Sequence, residues 1–165
     1  MRRCFSEQFA RKLEFVALGH PTEKPPSSGS ARRVYLDDAE WWPDFVRLAE
    51  GATLIVVMPD PSDHCVREAS WLRAEQLFSI CIFYMRGSVY RGENWYEPEW
   101  NKAVERFREV GILLPRYDPA GAIFTLDLAG TVRKFARLDF PKAFSKSKRL
   151  RDRLMQLGEP VSGYV

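Results

Sequence analysis

Apolar positions along the chain fall into two kinds of pattern. Nearly continuous runs occupy residues 13–18, 53–58, 80–85 and 122–126. The first run is closed by Gly19 and Pro21, and the second by Pro59 and Pro61. Runs of this length without polar alternation predict strands covered on both faces, as in a parallel sheet. Residues 32–36 predict a shorter extended piece. Between the runs the spacing becomes helical. Trp42, Phe45, Val46 and Ala49 form one stripe over 39–50, with Asp37 or Asp38 as its cap. Ala69, Leu72 and Gln76 form a stripe over 64–78, beside Trp71, Ala74 and Phe78. Trp100, Val104, Phe107 and Val110 share a face over 98–110, with Pro98 in the first turn and Gly111 as the stop. Strands alternating with helices argue for a layered α/β domain with right-handed crossovers.

Two segments break the alternation. Residues 20–30, HPTEKPPSSGS, are rich in Pro and Ser and predict an exposed loop. Residues 131–153 hold nine basic side chains against Asp139 and Asp152, a segment charge of +7 in a chain of +3, which leaves −4 for the rest. The pattern divides the chain into an α/β domain over 1–130 and a basic, helical extension over 131–165. The aromatics of the extension follow no recognisable RNA-binding pattern, so a solvated helix is expected there and nucleic acid is not the expected partner.

Composition narrows the picture further. Of 165 residues, 45% are apolar and 28% charged, the balance of a folded globule. No apolar run approaches the roughly 20 residues of a membrane span. Cys4, Cys65 and Cys81 have no framework spacing, so reduced thiols and a cytoplasmic location are expected. With two His and three Cys, no metal site is expected. Neither a GxGxxG nor a GxxxxGK[ST] loop is present.

The residues best placed for chemistry follow the strongest run, in the stretch from Pro59 to Leu72. In open parallel sheets ligands bind beyond the carboxyl ends of strands. Ser62 or Asp63 would cap the next helix, and Glu68 would lie in its first or second turn, near that rim. A carboxylate there can hydrogen-bond a sugar hydroxyl or stabilise positive charge at a glycosidic carbon. The plainer reading makes Glu68 a favourable acid at a helix start, worth about 0.3–1 kcal/mol. His64 and Cys65 are adjacent, and neighbours on a helix point about 100° apart, so they do not form a nucleophile–base pair. Asp37, Asp38 and Glu40 before Trp41 suggest a cation site, but a cap plus a solvated face explains them at least as well.

Read as one string, residues 5–84 resemble a bacterial family of TIR-like (Toll/interleukin-1 receptor-like) domains. The resemblance is carried by Phe15-Val16-Ala17-Leu18-Gly19-His20-Pro21, Pro25-Pro26, Gly29, Ala31-Arg32, Val34-Tyr35, Asp38 and Trp42, with Arg67-Glu68 where the family has a Trp-Glu pair. It implies a flavodoxin-like, mostly parallel sheet with helices on both faces and a role in bacterial signalling or defence. It also implies cleavage of NAD, as substrate and not as a resident cofactor, at the nicotinamide–ribose bond. Glu68 matches the catalytic acid, and Gly19, Pro21, Arg32, Trp42 and Ser62 match the nucleotide-binding positions. The chain departs from the family at Arg67 and at its opening, where residues 2–12 read as a helix and the family's first strand is lacking. A sheet without that strand would expose backbone edges, so a homo-oligomer is the expected partner. The alternative is a catalytically silent interaction module of the same family.

Overall fold

The computed structural model describes residues 16–19, 32–35, 41–87 and 96–138. The expected helix over 2–12, the loop with Pro21, the Asp37/Asp38 cap and the tail beyond Leu138 lie outside them. The chain divides into two compact units, Met1–Ala52 and Thr53–Val165.

In the first unit β1 (Val16–Gly19) pairs in parallel with β2 (Arg32–Tyr35). Helix α1 (Trp41–Glu50) follows. Its stripe is the one the spacing predicts, with Phe45 and Ala49 buried. Trp41 and Trp42 pack on Phe45 at centroid distances of 6.1 and 5.6 Å.

The second unit is α/β, built on an open four-stranded sheet in the order β3-β4-β5-β6. Strand β3 (Ile55–Val57) is joined through α2 (Asp63–Ala74) and a 3-10 turn (Leu77–Ile80) to β4 (Cys81–Met85), which lies parallel to it. The long helix expected over 64–78 is therefore cut short. Gln76 takes a left-handed φ of 60° and turns the chain back toward the sheet. Helix α3 (Tyr96–Glu109) then leads to β5 (Ala122–Leu126), antiparallel to β4, and β6 (Val132–Arg137), antiparallel to β5.

The expectation of a mostly parallel sheet is corrected in this unit, because two of its three pairings are antiparallel. The runs at β4 and β5 are continuous because both strands are inner ones, and burial on both faces does not depend on the direction of the neighbours. A second correction concerns the basic segment, whose first part is strand β6 and not helix. As an outer strand, β6 carries Arg133, Lys134 and Arg137, charges that discourage pairing with other chains.

Phe78, Phe83, Phe124 and Trp100 form the centre of the core, each no more than 1% exposed. Phe83 and Phe124 face each other across the β4–β5 register and stack at 5.4 Å. Phe78 meets Phe83 edge-on at 5.3 Å, and Trp100 meets Phe124 edge-on at 6.2 Å. Helix α3 thus lies over the sheet face into which Phe83 and Phe124 project.

Helix α3 ends as its sequence predicts. Gly111 has φ 73°, its N–H donates to Arg108 O (2.9 Å), and the Ile112 N–H donates to Phe107 O (2.9 Å), a Schellman closure. Arg73, at the last turn of α2, then ties three distant carbonyls. Its Nη1 donates to Val110 O (3.1 Å) and Gly111 O (3.0 Å), and its Nε to Leu128 O (3.0 Å). The β5–β6 turn passes so close to the end of α3 that a Cβ on Gly130 would sit 2.5 Å from Gly111 O. Glycine is required there both for space and for its φ of 83°.

Candidate functional site

Parallel strands β3 and β4 end side by side, and the chain leaves β3 through Met58-Pro59-Asp60-Pro61 before entering α2. The entry to α2 is fixed by two short polar contacts. The Ser62 N–H donates to Asp60 Oδ1 (2.8 Å), and Ser62 Oγ accepts from the Cys65 N–H (3.3 Å), which makes Ser62 the N-cap. Of the two caps the sequence offered, the structure uses Ser62. Asp63 in the first turn pairs instead with Arg106 of α3.

Cys65 points back at the strand end, and its Sγ–H donates to Met58 O (3.7 Å). Burial pushes this thiol up to about 12, with the carboxylates of Asp60 and Glu68 adding to the rise. Such a thiol stays protonated and serves packing instead of nucleophilic attack. Glu68 lies in the second turn of α2, half-buried, and its charge acts on Cys65 one turn earlier. Arg67 beside it is exposed.

Burial also pushes the Cys81 thiol up to about 12. The ordinary value for both is 9.0, so above that pH the unfolded chain loses thiol protons that the native protein keeps. Stability should therefore fall as pH rises from about 9 to about 12, by up to about 1.4 kcal/mol per pH unit for each thiol. Urea midpoints at pH 8 and pH 10.5 check this, and Cys65→Ala should flatten the slope. Equal midpoints in the unmodified chain would mean that both thiols are solvated.

A second group of side chains converges on the same rim from β4, α3 and the segment before β5. Because β5 runs antiparallel to β4, it begins where β4 ends, and the chain leading into β5 joins the rim. Asp118 fixes that chain. Its N–H donates to Met85 Sδ (3.1 Å), and its carboxylate pairs with Arg137 (2.7 Å). Tyr117 precedes it, with its ring 6.2 Å from that of Tyr96 at the start of α3. The Tyr96 hydroxyl donates to Pro59 O at 3.5 Å, a long bond. Burial pushes Tyr96 up to about 12, Arg86 opposes the rise, and Asp60, Tyr84 and Tyr117 add to it. Tyr84 is likewise raised by burial and opposed by Arg86. Asp60 thus acts on both Cys65 and Tyr96 and links the α2 side of the rim to the tyrosines.

The site residues expected from sequence are not all brought together. Ser62 and Glu68 share the first two turns of α2 at the end of β3. Gly19 closes β1, opposite Tyr35, but Arg32 opens β2, opposite Val16. These two candidates therefore sit at opposite ends of one parallel ladder, about 10 Å apart along it. Arg32 is at the amino end of that strand pair. Trp42 lies in the first turn of α1, half-buried against Trp41 (5.4 Å) and Phe45, which makes it mainly a packing residue. Pro21 lies outside the described residues. Sequence reasoning missed Tyr84, Arg86, Tyr96 and Tyr117 as a group. Only the position of Tyr84 and Arg86 at the end of an apolar run hinted at a rim.

Among the described residues no helix is long and apolar enough to cross a membrane, and no group of three or more His, Cys, Asp or Glu is arranged to hold a metal ion. No protein-family model, curated protein or solved structure matches this chain.

Proposed function

We propose that the chain is a TIR-like protein of flavodoxin-like class that binds a nicotinamide nucleotide at the carboxyl rim of β3 and β4 and hydrolyses NAD. The observation that carries this reading is the position of Glu68, a half-buried carboxylate in the second turn after the Ser62 cap of the helix that leaves that rim. In the reaction the bond between the ribose C1′ and the pyridinium nitrogen breaks, and its electron pair leaves with neutral nicotinamide. Water adds to C1′ and releases one proton, giving ADP-ribose. Glu68 orients the ribose hydroxyls and stabilises the oxocarbenium character that develops at C1′. Ser62, already held by its cap bond, offers a hydroxyl at the edge of the same rim. The test is nicotinamide release from NAD by the folded chain at high protein concentration. No release from NAD under those conditions removes the reading.

A second reading is an interaction module that associates with copies of itself and does no chemistry. It is favoured by five large apolar side chains on and near the outer strand β6 that remain exposed: Val110 (37%), Leu113 (47%), Leu128 (52%), Val132 (39%) and Phe135 (45%). Concentration-dependent association that persists in Glu68→Gln, without nicotinamide release from either protein, is the outcome that selects it.

A further inference from the structure

We propose that the outer edge of β6 receives an extended acidic segment of a partner protein, which adds to the sheet as a further strand. Neither Glu68 nor the nucleotide reading enters into it.

The register of β6 shows which of its backbone groups are unused. The Leu138 N–H donates to Gly121 O (2.8 Å), and the pairs Ala136–Ile123 and Lys134–Thr125 follow in steps of two. Hydrogen-bonded and non-hydrogen-bonded pairs alternate along an antiparallel ladder. Arg133 and Phe135 therefore turn their N–H and C=O groups away from β5. Strand β6 stands last in the sheet order, and no described strand pairs with its other side. Such an edge is a template for a strand from another chain.

The side chains along this edge select the strand that fits. Phe135 stacks on buried Phe124 at 6.5 Å yet stays 45% exposed, which leaves an apolar surface for a neighbour. Arg133 is exposed and Lys134 half-buried, and among the described residues neither side chain has an ion pair or a hydrogen bond. Successive residues of a strand point to opposite faces, so Arg133 shares a face with Phe135 and Lys134 takes the other. Val132–Arg137 holds no acidic residue. These cations blunt the edge against a strand like itself. A symmetric antiparallel pairing about Phe135 would set Arg133 of each copy opposite Arg137 of the other, and like charges directly opposite are destabilising. The same cations attract a strand with acids opposite Arg133 and Lys134 and an apolar residue opposite Phe135. Main-chain bonds would hold that strand, and the charges would choose it.

The test is fluorescence anisotropy of a labelled, capped peptide of about eight residues, long enough for one strand, titrated with the full chain. The probe carries a central valine followed by two glutamates, and its counterpart has lysine in place of each glutamate. The glutamate peptide should bind at least about tenfold more tightly than the lysine peptide, and more weakly as salt is raised. Equal affinities, or no binding of either, would overturn the proposal. Replacing both cations together, Arg133→Gln with Lys134→Gln, should weaken the glutamate peptide by about tenfold. The melting temperature should change little, because neither cation has a partner to lose. Full peptide affinity in that variant rejects the role of the charges. Hydrogen exchange read by NMR gives a signature that side-chain contact alone would not. Bound peptide should slow the Arg133 and Phe135 amides by at least about tenfold, and unchanged exchange at both rejects strand addition. Two other occupants are read by the same means. If those amides slow as the protein is concentrated without peptide, a second copy takes the edge. If a short oligothymidine binds and the double variant loses it, the edge serves nucleic acid. Either result overturns the proposal.

Discussion

Replacing Glu68 by glutamine should lower nicotinamide release from NAD by at least about 10²-fold, with little change in melting temperature. Glutamine preserves the volume of the side chain and one acceptor oxygen, so packing in the second turn of α2 is kept. What disappears is the negative charge, and with it the stabilisation of positive charge at C1′. The effect should fall on kcat more than on KM, because the charge is needed in the transition state and less in the ground state. The competing account makes Glu68 an ordinary acid near a helix start. It predicts unchanged release and a stability loss of only about 0.3–1 kcal/mol. Rates measured by chromatography of nicotinamide, beside thermal melts of both proteins, separate the two accounts.

The largest effect on stability is expected at Trp100. Its side chain is fully buried, its Nε1–H donates to Pro115 O (2.9 Å), and its ring meets Phe124 edge-on. Trp100→Ala would open a cavity beneath the sheet and leave the Pro115 carbonyl without its donor. The cost should be about 3–5 kcal/mol, a large part of the stability of an ordinary domain. Trp100→Phe keeps most of the apolar volume and removes the hydrogen bond, so it should cost less. Urea unfolding of the three proteins measures both terms. A loss below about 1 kcal/mol for alanine would show that the site collapses around the smaller side chain.

How much of this was legible in the sequence depends on which signal each element carries. The strands at β3, β4 and β5 were readable because continuous apolar runs bounded by Pro or Gly have few other uses. Their direction was not, since an inner strand is equally apolar beside parallel or antiparallel neighbours. Strand β6 was hidden because it lies at the sheet's edge, where Arg133, Lys134 and Arg137 replace the apolar alternation. The end of α3 was read correctly from Gly111, a residue whose positive φ few others could adopt. The Ser62 cap and the place of Glu68 on α2 were legible because both depend on local spacing around one helix start. The tyrosine group escaped because its members come from three segments of the chain, and their meeting is set by the antiparallel entry of β5. The pairing of Arg32 with Val16 was not legible either, since strand register cannot be read from the residues of one strand alone.

The Arg73 clamp has a consequence for how the second unit breathes. One guanidinium holds the end of α3 and the β5–β6 turn, segments 37 to 55 positions further along the chain. The Leu113 N–H donates to Gly130 O across the same junction (2.7 Å). Neither segment can swing out alone without stripping the arginine of acceptors that the other also shares. The helix end and the hairpin turn are thereby joined into one cooperative opening unit, and their amide protons exchange with solvent through a common fluctuation and not through independent fraying.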